Sequence, residues 1–380
     1  MLYLDWNATT PPHPDVLAAM HDAAGRAWGN PSSLHRAGRA AKAFVEGARE
    51  AIGDLTGFCA RDVVFTSGGT EANNLGLMRP FLGPNGIRKG VCVTSRLEHP
   101  SVTRVAEWLE AQGVSVAWLE VPSSGRLDPV GVERALASAL PGPRLVAVQA
   151  VNHETGVVQP VGAIAEVAHR HDAEVHVDAV QAVGRLEPEA WLGADTLAVA
   201  AHKMRGPKGI GALAGRAGIV VRPVLRGGAQ ERGLRPGTVD PVAAAGFGVA
   251  ARRAASGSSR YTSVTALRDH LERSLLELGQ RSGAAPLRNG DGGRAPHVSN
   301  LSWPGWSGDE LVAALDLEGV CVSAGSACAA GTPEPSRVIA AMAGEERARG
   351  AVRVSLGEDT TAEDVISAIR LFERVLARHC

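Results

Sequence analysis

Lysine is rare in this chain, and two of its lysines lie close together, at Lys203 and Lys208. The others are Lys42 and Lys89, although Lys and Arg together number 39. In a chain so biased toward arginine, we expect a lysine to remain where a guanidinium cannot replace it, because only an amine forms a Schiff base. Residues 201–208 (AHKMRGPK) are therefore a candidate site of amine chemistry.

An acidic residue that precedes Lys203 could complete such a site. The apolar run 174–177 predicts a strand that delivers Asp178 at its carboxyl end, where open α/β sheets bind ligands. Pyridoxal 5′-phosphate (PLP) requires a Schiff-base lysine and a carboxylate that keeps its pyridine nitrogen protonated. Taken singly, each residue has a plainer interpretation, as a helix-capping aspartate and a surface lysine.

A third element is suited to a phosphate. Residues 63–71 (VVFTSGGTE) predict a strand, a glycine-rich turn and the start of a helix. Backbone N–H groups at a helix N-terminus favour a phosphate, Gly68 and Gly69 allow close approach, and Thr70 can add a hydroxyl donor. The pattern is weak alone, because many α/β turns are rich in glycine. The glycine-rich turn, Asp178 and Lys203 follow one another along the chain, and the three elements together indicate a PLP site.

The elements that must position these residues alternate between strand and helix from about residue 35 to 255. Such alternation predicts an α/β fold whose mostly parallel, seven-stranded sheet is covered on both faces. The predicted strands are 63–66, 91–94, 114–119, 145–151, 174–177, 196–200 and 211–214, and the predicted helices include 36–55, 100–112, 129–140 and 161–171.

A break at 255–259 (ASGSS) separates this region from a smaller α+β unit. The unit is predicted to begin with a long helix over 261–280 and to end with a helix from 362. Between them lie strands near 297–301, 320 and 352–355 and a helix near 308–318, and the N-terminal strand 3–4 is expected to join them. We predict a large domain over 15–257 and a small domain formed by 1–14 and 258–380, with a loop at about 322–335.

Composition excludes several classes of protein. A formal net charge of -1 gives no general attraction to nucleic acid or membranes, and no apolar run reaches the ~18 residues of a membrane span. Five widely spaced cysteines without a Cys-x-x-Cys pair argue against disulfides and a four-thiolate metal site. His169, His171 and His176 point in different directions, so we expect no metal site. The sequence predicts a reduced, cytoplasmic protein.

Ordered blocks of sequence extend almost from one end of the chain to the other. They are residues 3–11 (YLDWNATTP), 29–33 (GNPSS), 66–71 (TSGGTE), 98–100 (EHP), 151–156 (VNHETG), 176–181 (HVDAVQ), 202–203 (HK), 206–209 (GPKG), 231–238 (ERGLRPGT), 323–328 (SAGSAC) and 334–336 (EPS). In these blocks the chain resembles the NifS/IscS-like cysteine desulfurases, including their DndA-type members, of the fold-type I (class V aminotransferase) superfamily.

The resemblance implies roles for individual residues. Lys203 would hold PLP, Asp178 would pair with its pyridine nitrogen, and His99 would stack on its ring and move protons near the substrate thiol. Arg353 would pair with the substrate carboxylate, and Asn30 is expected to contact the substrate too. The other implied cofactor contacts are Gly69, Thr70, His153 (also a substrate contact), Gln181, His202 and, from the neighbouring subunit of a homodimer, Thr238.

Two positions depart from the family pattern. The family commonly has Asn where this chain has His153, and a phosphate-binding Ser where it has Ala200. A lost hydroxyl removes one charge-assisted hydrogen bond, on the order of 1.5–3 kcal/mol. These departures leave cofactor affinity and substrate orientation open.

Cys328 is the predicted sulfur acceptor. It lies among small residues and turn formers, which predict a mobile surface loop able to reach a substrate and then a second acceptor. Cys59, Cys92, Cys321 and Cys380 occupy apolar or terminal contexts, and Cys321 is predicted to lie in the core. The expected reaction converts L-cysteine to L-alanine and leaves a persulfide on Cys328.

Other interpretations remain open at this stage. The chain could be an aminotransferase, a selenocysteine-directed lyase, or a binding homologue without turnover. The expected partners are L-cysteine, a second copy of the chain and a sulfur-acceptor protein, with no direct contact to nucleic acid. The sulfur could serve iron–sulfur assembly, tRNA or cofactor thiolation, or DNA phosphorothioation.

Overall fold

A computed structural model describes residues 1–139, 141–219, 222–281, 283, 285–325 and 335–378. Cys328 and Cys380 lie outside the described residues, so the predicted loop at 322–335 is described only at its two ends. Within the described ranges, no helix is long and apolar enough to cross a membrane.

The described part of the chain contains twelve α-helices and fourteen strands. The helices are α1 (Pro14–Arg26), α2 (Arg36–Thr56), α3 (Gly69–Met78), α4 (Pro100–Ala111), α5 (Pro129–Ala137), α6 (Val161–Arg170), α7 (Pro241–Ala254), α8 (Gly257–Arg281), α9 (Gly308–Leu317), α10 (Arg337–Ala343), α11 (Glu345–Arg349) and α12 (Ala362–Leu376). The strands are β1 (Leu2–Tyr3), β2 (Val63–Thr66), β3 (Leu82–Gly83), β4 (Gly86–Ile87), β5 (Val91–Ser95), β6 (Ser115–Leu119), β7 (Arg144–Gln149), β8 (Glu174–Asp178), β9 (Thr196–Ala200), β10 (Gly211–Gly215), β11 (Leu287–Arg288), β12 (Val298–Ser302), β13 (Val320–Cys321) and β14 (Ala351–Ser355).

The central sheet contains seven strands in the order β2-β10-β9-β8-β7-β5-β6. Strands β5 to β9 run parallel to one another, whereas β10 runs antiparallel to both β2 and β9. The predicted α/β fold with a mostly parallel sheet of seven strands is confirmed. All side chains of β9 are buried, as expected for a strand covered on both faces.

The remaining strands lie outside this sheet. β12 pairs with β11 and β14 in an antiparallel sheet, and β1 pairs in parallel with β13. A second core packs around them, with Leu271, Trp303 and Phe372 almost fully buried. Val298 and Ile339, however, belong to the core of the large sheet. The C-terminal region therefore contributes to both cores, and the predicted domain boundaries stay a prediction.

One predicted break is shorter than expected. Only two residues separate α7 from α8, which begins at Gly257 rather than at 261. A Cβ on Gly257 would lie 2.0 Å from the carbonyl oxygen of Gly184, so this glycine allows two backbones to touch. Gly257 was expected to interrupt the helical pattern, but it lies at the start of α8 and lets this helix pack against the backbone of Gly184.

Candidate active site

Side chains from several segments converge on a cavity of about 150 Å³ at the carboxyl ends of β7, β8 and β9. Gln149, Asp178 and Ala200, the last residues of these three strands, all line it. Ligands bind at this edge of open α/β sheets. Eight predicted site residues share the cavity: Gly69, Thr70, His99, His153, Asp178, Gln181, His202 and Lys203.

Lys203 reaches the cavity from a short turn after β9. Its Nζ donates to the carbonyl oxygen of Ala8 at 2.9 Å and to that of Asn7. These carbonyls belong to the N-terminal segment, and Ala8 itself lines the cavity. The segment 3–11 therefore helps to fix the amine that the sequence analysis singled out.

Asp178 ends β8 as a buried carboxylate. Its Oδ1 accepts from the backbone N–H of Val180 at 3.0 Å, and its Oδ2 accepts from Nδ2 of Asn73 at 2.8 Å. Burial raises the pKa of Asp178, whereas these two hydrogen bonds and the nearby His153 and Lys203 act to lower it. The Asp178 carboxylate is thus shielded from water but accepts hydrogen bonds from Asn73 and Val180.

His99 is placed by its role as the N-cap of α4. Its Nδ1 accepts from the backbone N–H of Ser101 at 3.1 Å, and Pro100 occupies the first helical position. Burial, then His153 and Lys203, lowers the pKa of His99 to about 3. The ring is therefore neutral near pH 7, and it forms one wall of the cavity.

The start of α3 lies at another side of the cavity. Gly69 and Thr70 open this helix and line the cavity, and the N–H groups of a first turn have no intrahelical acceptor. His202 contributes a ring whose Nδ1 lies 3.1 Å from Oγ1 of Thr9. Burial, followed by Lys203, lowers the pKa of His202 to about 4. Ala200 adds only a methyl group, so the family's serine hydroxyl has no counterpart there.

Gln181 and His153 line the cavity with side chains that already have protein contacts. Gln181 donates to the carbonyl oxygen of Asn7 at 2.9 Å and accepts from Arg185. The Nε2 of His153 lies 3.6 Å from Oε1 of Glu154. Both side chains are buried, so any group in the cavity would meet ordered polar atoms.

Three predicted site residues lie outside this cavity. Arg353 is 2% exposed, and it donates to Oδ1 of Asp5 at 2.6 Å and to the carbonyl oxygen of His153 at 2.9 Å. Asn30 is exposed, with its Oδ1 accepting from the N–H of Ser32, and Thr238 is exposed before α7. Their substrate and cofactor roles stay predictions.

The described cysteines differ partly from expectation. Cys92 is fully buried, which raises its pKa to about 12. Cys321, predicted to lie in the core, is partly exposed, because β13 lies in a two-stranded sheet with the short strand β1. Burial and then Asp316, whose Oδ1 lies 3.9 Å from the sulfur, raise its pKa. Cys59, predicted in an apolar context, is exposed because it precedes a surface turn.

The histidines weighed as a metal cluster bind separate partners. His169 contacts Asp195 at 3.0 Å, and His171 contacts Glu133 at 2.9 Å. His176 lies between Thr196 and Asn73 inside the protein. Across the ranges described, no three His, Cys, Asp or Glu side chains are arranged to hold a metal ion.

Sequence analysis missed several residues of the cavity wall, above all Asn73, Ser101 and Gln149. Asn73 lies one turn after Gly69 on α3, and helical periodicity places it on the same face. Ser101 follows the cap His99 by two residues. A search for polar residues one turn beyond each predicted helix start would have found Asn73.

Comparison with known proteins identifies one family that matches almost the whole chain. Residues 2–367 match the family model described as aminotransferase class-V. A cysteine desulfurase from Cereibacter sphaeroides is 42% identical over 369 residues, which is 96% of this chain and 92% of that protein. A solved NifS-like protein has a TM-score of 0.89 at 30% identity, covering 99% of each chain.

A DndA structure from Streptomyces lividans has a TM-score of 0.76 at 32% identity and covers 92% of this chain and 97% of that one. The family match spans nearly all the described elements, and the curated relative covers almost the whole chain. The chain therefore belongs to the class-V aminotransferase family and, within it, to the cysteine desulfurases.

Proposed function

We propose that this chain removes sulfur from L-cysteine, giving L-alanine and a persulfide on Cys328. The observation that carries the proposal is the convergence of Lys203, Asp178 and His99 on one cavity at the carboxyl edge of the sheet. The identity to cysteine desulfurases over almost the whole chain supports the same reaction.

The residues around the cavity fit PLP, the cofactor of this family. A lysine amine, a buried carboxylate and a neutral imidazole line one small space, together with the first turn of a helix. We propose that Lys203 holds the cofactor, that Asp178 faces its pyridine nitrogen and that Gly69, Thr70 and His202 face its phosphate. Gln181 and His153 are proposed as further contacts.

When bound, PLP withdraws electrons from the substrate Cα, which makes the Cα proton acidic and the bond from Cβ to sulfur easier to break. The amine of Lys203 is the base proposed to carry that Cα proton. Asp178 supplies the negative charge that favours a protonated ring nitrogen. His99, neutral near pH 7, can accept or return a proton at the substrate thiol.

The sulfur is proposed to move to Cys328. The Cβ–S bond of cysteine breaks with its electron pair left on Cβ, and an S–S bond forms at Sγ of Cys328. The Cα proton and the protons of the two thiols end on Cα and Cβ of alanine and on the terminal sulfur of the persulfide. Cys92 and Cys321 suit this role less well, since their pKa values are raised, which disfavours the thiolate.

Further features are proposed on the resemblance and on the sequence pattern. Thr238 acts across a homodimer, where it would reach the phosphate of the partner. Arg353 and Asn30 bind the substrate, which requires Arg353 to exchange its present contact with Asp5. A sulfur-acceptor protein takes the sulfur toward iron–sulfur assembly, thiolation or DNA phosphorothioation. Residues 1–14 and 258–380 form the small domain, and the location is cytoplasmic.

The proposal is tested by measuring alanine and sulfide release from L-cysteine in the presence of a thiol reductant. We expect the parent protein to release both and Cys328→Ser to lose them at least a hundredfold. Cys321→Ser is the matched control, because it removes a partly exposed thiol close in sequence. A Cys328→Ser variant with parental release of both products would exclude Cys328 as the acceptor.

A further inference from the structure

One buried amide connects the two sides of the candidate active site. Asn73 is 1% exposed, and its Nδ2 donates to Oδ2 of Asp178 at 2.8 Å and to Oγ of Ser101 at 2.8 Å. Its Oδ1 lies 3.0 Å from Nε2 of His176. All the polar atoms of this side chain are therefore engaged within the protein.

The chemistry of the partners fixes the direction of each bond. An ionised carboxylate can only accept, so the NH₂ group of Asn73 faces Asp178 and its oxygen faces His176. The Nε2 of His176 must then carry the proton, and its Nδ1 accepts from the hydroxyl of Thr196 at 2.9 Å. Burial lowers the pKa of His176 to about 3, so the ring stays neutral and keeps this tautomer.

The second branch leads to His99. Since Oγ of Ser101 accepts from Asn73, its own hydrogen is available for Nδ1 of His99 at 2.8 Å. The same Nδ1 accepts from the N–H of Ser101, so the proton of His99 lies on Nε2. Asp178 and His99 both line the cavity, and Asn73 joins them through two short bonds.

We propose that Asn73 is a positioning residue, which keeps Asp178 ionised toward the cofactor and, through Ser101, fixes the ring of His99, while His176 holds the Asn73 amide in the required orientation. This inference rests on the proposed function only for the identity of the group that Asp178 faces. The hydrogen-bond network itself belongs to the protein alone.

The effect on Asp178 has a definite sign. Burial disfavours its charged form, and Asn73 supplies one of its two identified hydrogen-bond donors. Loss of a hydrogen bond to a charged group shifts the ionisation equilibrium by about tenfold or more. Without Asn73, the proton shared between Asp178 and a pyridine nitrogen should move toward the carboxylate.

The experiment is ¹⁵N NMR of the protein loaded with PLP labelled at the pyridine nitrogen. In the parent we expect the chemical shift of a protonated ring nitrogen. Asn73→Leu, close in size but apolar, should move the shift toward neutral pyridine and lower the protonated-to-neutral ratio at least tenfold. Asn74→Leu is the matched control, because within the described residues the Asn74 side chain donates to the Thr70 carbonyl oxygen of its own helix and not to Asp178 or Ser101. A parental shift in Asn73→Leu overturns the proposal.

Two variants of His176 decide the matter if Asn73→Leu does not fold. His176→Gln can still donate to Oδ1 of Asn73, whereas His176→Phe cannot. A protonated nitrogen in His176→Gln and a neutral one in His176→Phe supports the proposal, and equal shifts in the two variants overturn it.

A failure of the proposed function can be distinguished from a failure of the positioning role by a second measurement. If the parent protein does not take up PLP at Lys203, the carboxyl ¹³C signal of Asp178 is followed against pH in the cofactor-free protein. Asn73→Leu should raise the pKa of Asp178 by about one or more relative to the parent and to Asn74→Leu. An unchanged titration overturns the positioning role without reference to any cofactor.

Discussion

Gly76 of α3 lies directly against the imidazole of His176. A Cβ built on this glycine would stand 2.3 Å from both Cε1 and Nδ1 of the ring. His176 is fully buried between Asn73 and Thr196, so the ring has no space into which to move. The glycine therefore sets the distance between α3 and β8 and, with it, the position of the Asn73 amide.

Gly76→Ala should destabilise the protein although alanine is the better helix former. The added methyl group overpacks a closed site, which costs about 1–3 kcal/mol and exceeds the gain in helix propensity of about 1 kcal/mol. Gly47→Ala in α2 is the control, since its Cβ would meet nothing within 4 Å, and it should be neutral or stabilising. Urea denaturation measures both, and equal stabilisation by both would show that α3 is not tightly packed on His176.

The buried Glu98 should make the free energy of unfolding of the protein depend on pH. Burial, then the neighbouring Asp178, raises its pKa from 4.5 to about 8. The folded state therefore binds a proton that the unfolded state releases between about pH 4.5 and 8, so this group's contribution to stability falls as pH rises through that window. Glu98→Gln should remove the fall, with the variant gaining on the parent by up to about 1.4 kcal/mol per pH unit.

The measurement is the free energy of unfolding at several pH values between 5 and 8. Glu110→Gln at the exposed end of α4 gives the baseline for a surface change of the same kind. A difference between Glu98→Gln and the parent that is constant across the window would show that Glu98 does not titrate there.

The sequence predicts the sheet and most residues of the candidate cavity because each rests on a local pattern. The strand that ends at Asp178, the turn at Gly68 and Gly69 and the lysine after β9 follow from periodicity and from the chemistry of single residues. These patterns lie at the same edge of the sheet because parallel strands share one carboxyl edge. Once the fold class is predicted, the convergence of these residues on one cavity follows from it.

The supporting network could not be predicted in the same way. Asn73, Ser101 and His176 come from α3, α4 and β8, and their hydrogen bonds depend on side-chain directions that no local pattern specifies. From the sequence alone, His176 stands out only as a metal ligand without converging partners. The pairing of Arg353 with Asp5 joins residues 348 positions apart, which only the packing of the two ends of the chain determines.

The loop that carries Thr238 is fastened by a buried ion pair between Arg49 and Glu231. The carboxylate accepts from the guanidinium at 2.7 and 2.8 Å and from the backbone N–H of Phe65 at 2.8 Å. Glu231 also adopts a φ of 46°, a backbone conformation that L-residues rarely adopt without support.

Glu231→Gln should cost up to about 3–5 kcal/mol, because it removes the buried anion of Arg49 and leaves that buried guanidinium with the more exposed Glu46 as its anionic partner. The free energy of unfolding is compared with that of Asp22→Asn, which removes the exposed partner of Arg26 and should cost less than about 1 kcal/mol. A small loss in Glu231→Gln, equal to that of the control, would mean that the buried pair does not hold the loop.

His153→Asn restores the residue that the family commonly has, and its effect should appear in His99. The two rings stand 5.3 Å apart at an interplanar angle of 76°, and His153 is the second cause, after burial, of the lowered pKa of His99. With asparagine in place, that repulsion is gone while burial remains. The pKa of His99 should therefore rise above about 3 but stay below its ordinary value of 6.5.

The fold should tolerate this change, since the contacts from Asn7 and Arg353 go to the carbonyl oxygen of His153 and not to its ring. Glu154 loses the ring at 3.6 Å but keeps the hydrogen bond that it accepts from Ser336. Histidine ¹H–¹⁵N spectra recorded against pH follow the ring of His99 directly. His270→Asn, on the exposed side of α8, controls for the loss of a histidine elsewhere. We expect His99 in His153→Asn to begin to protonate at a higher pH than in the parent and in His270→Asn. An identical titration in all three proteins would show that His153 does not influence the charge of His99.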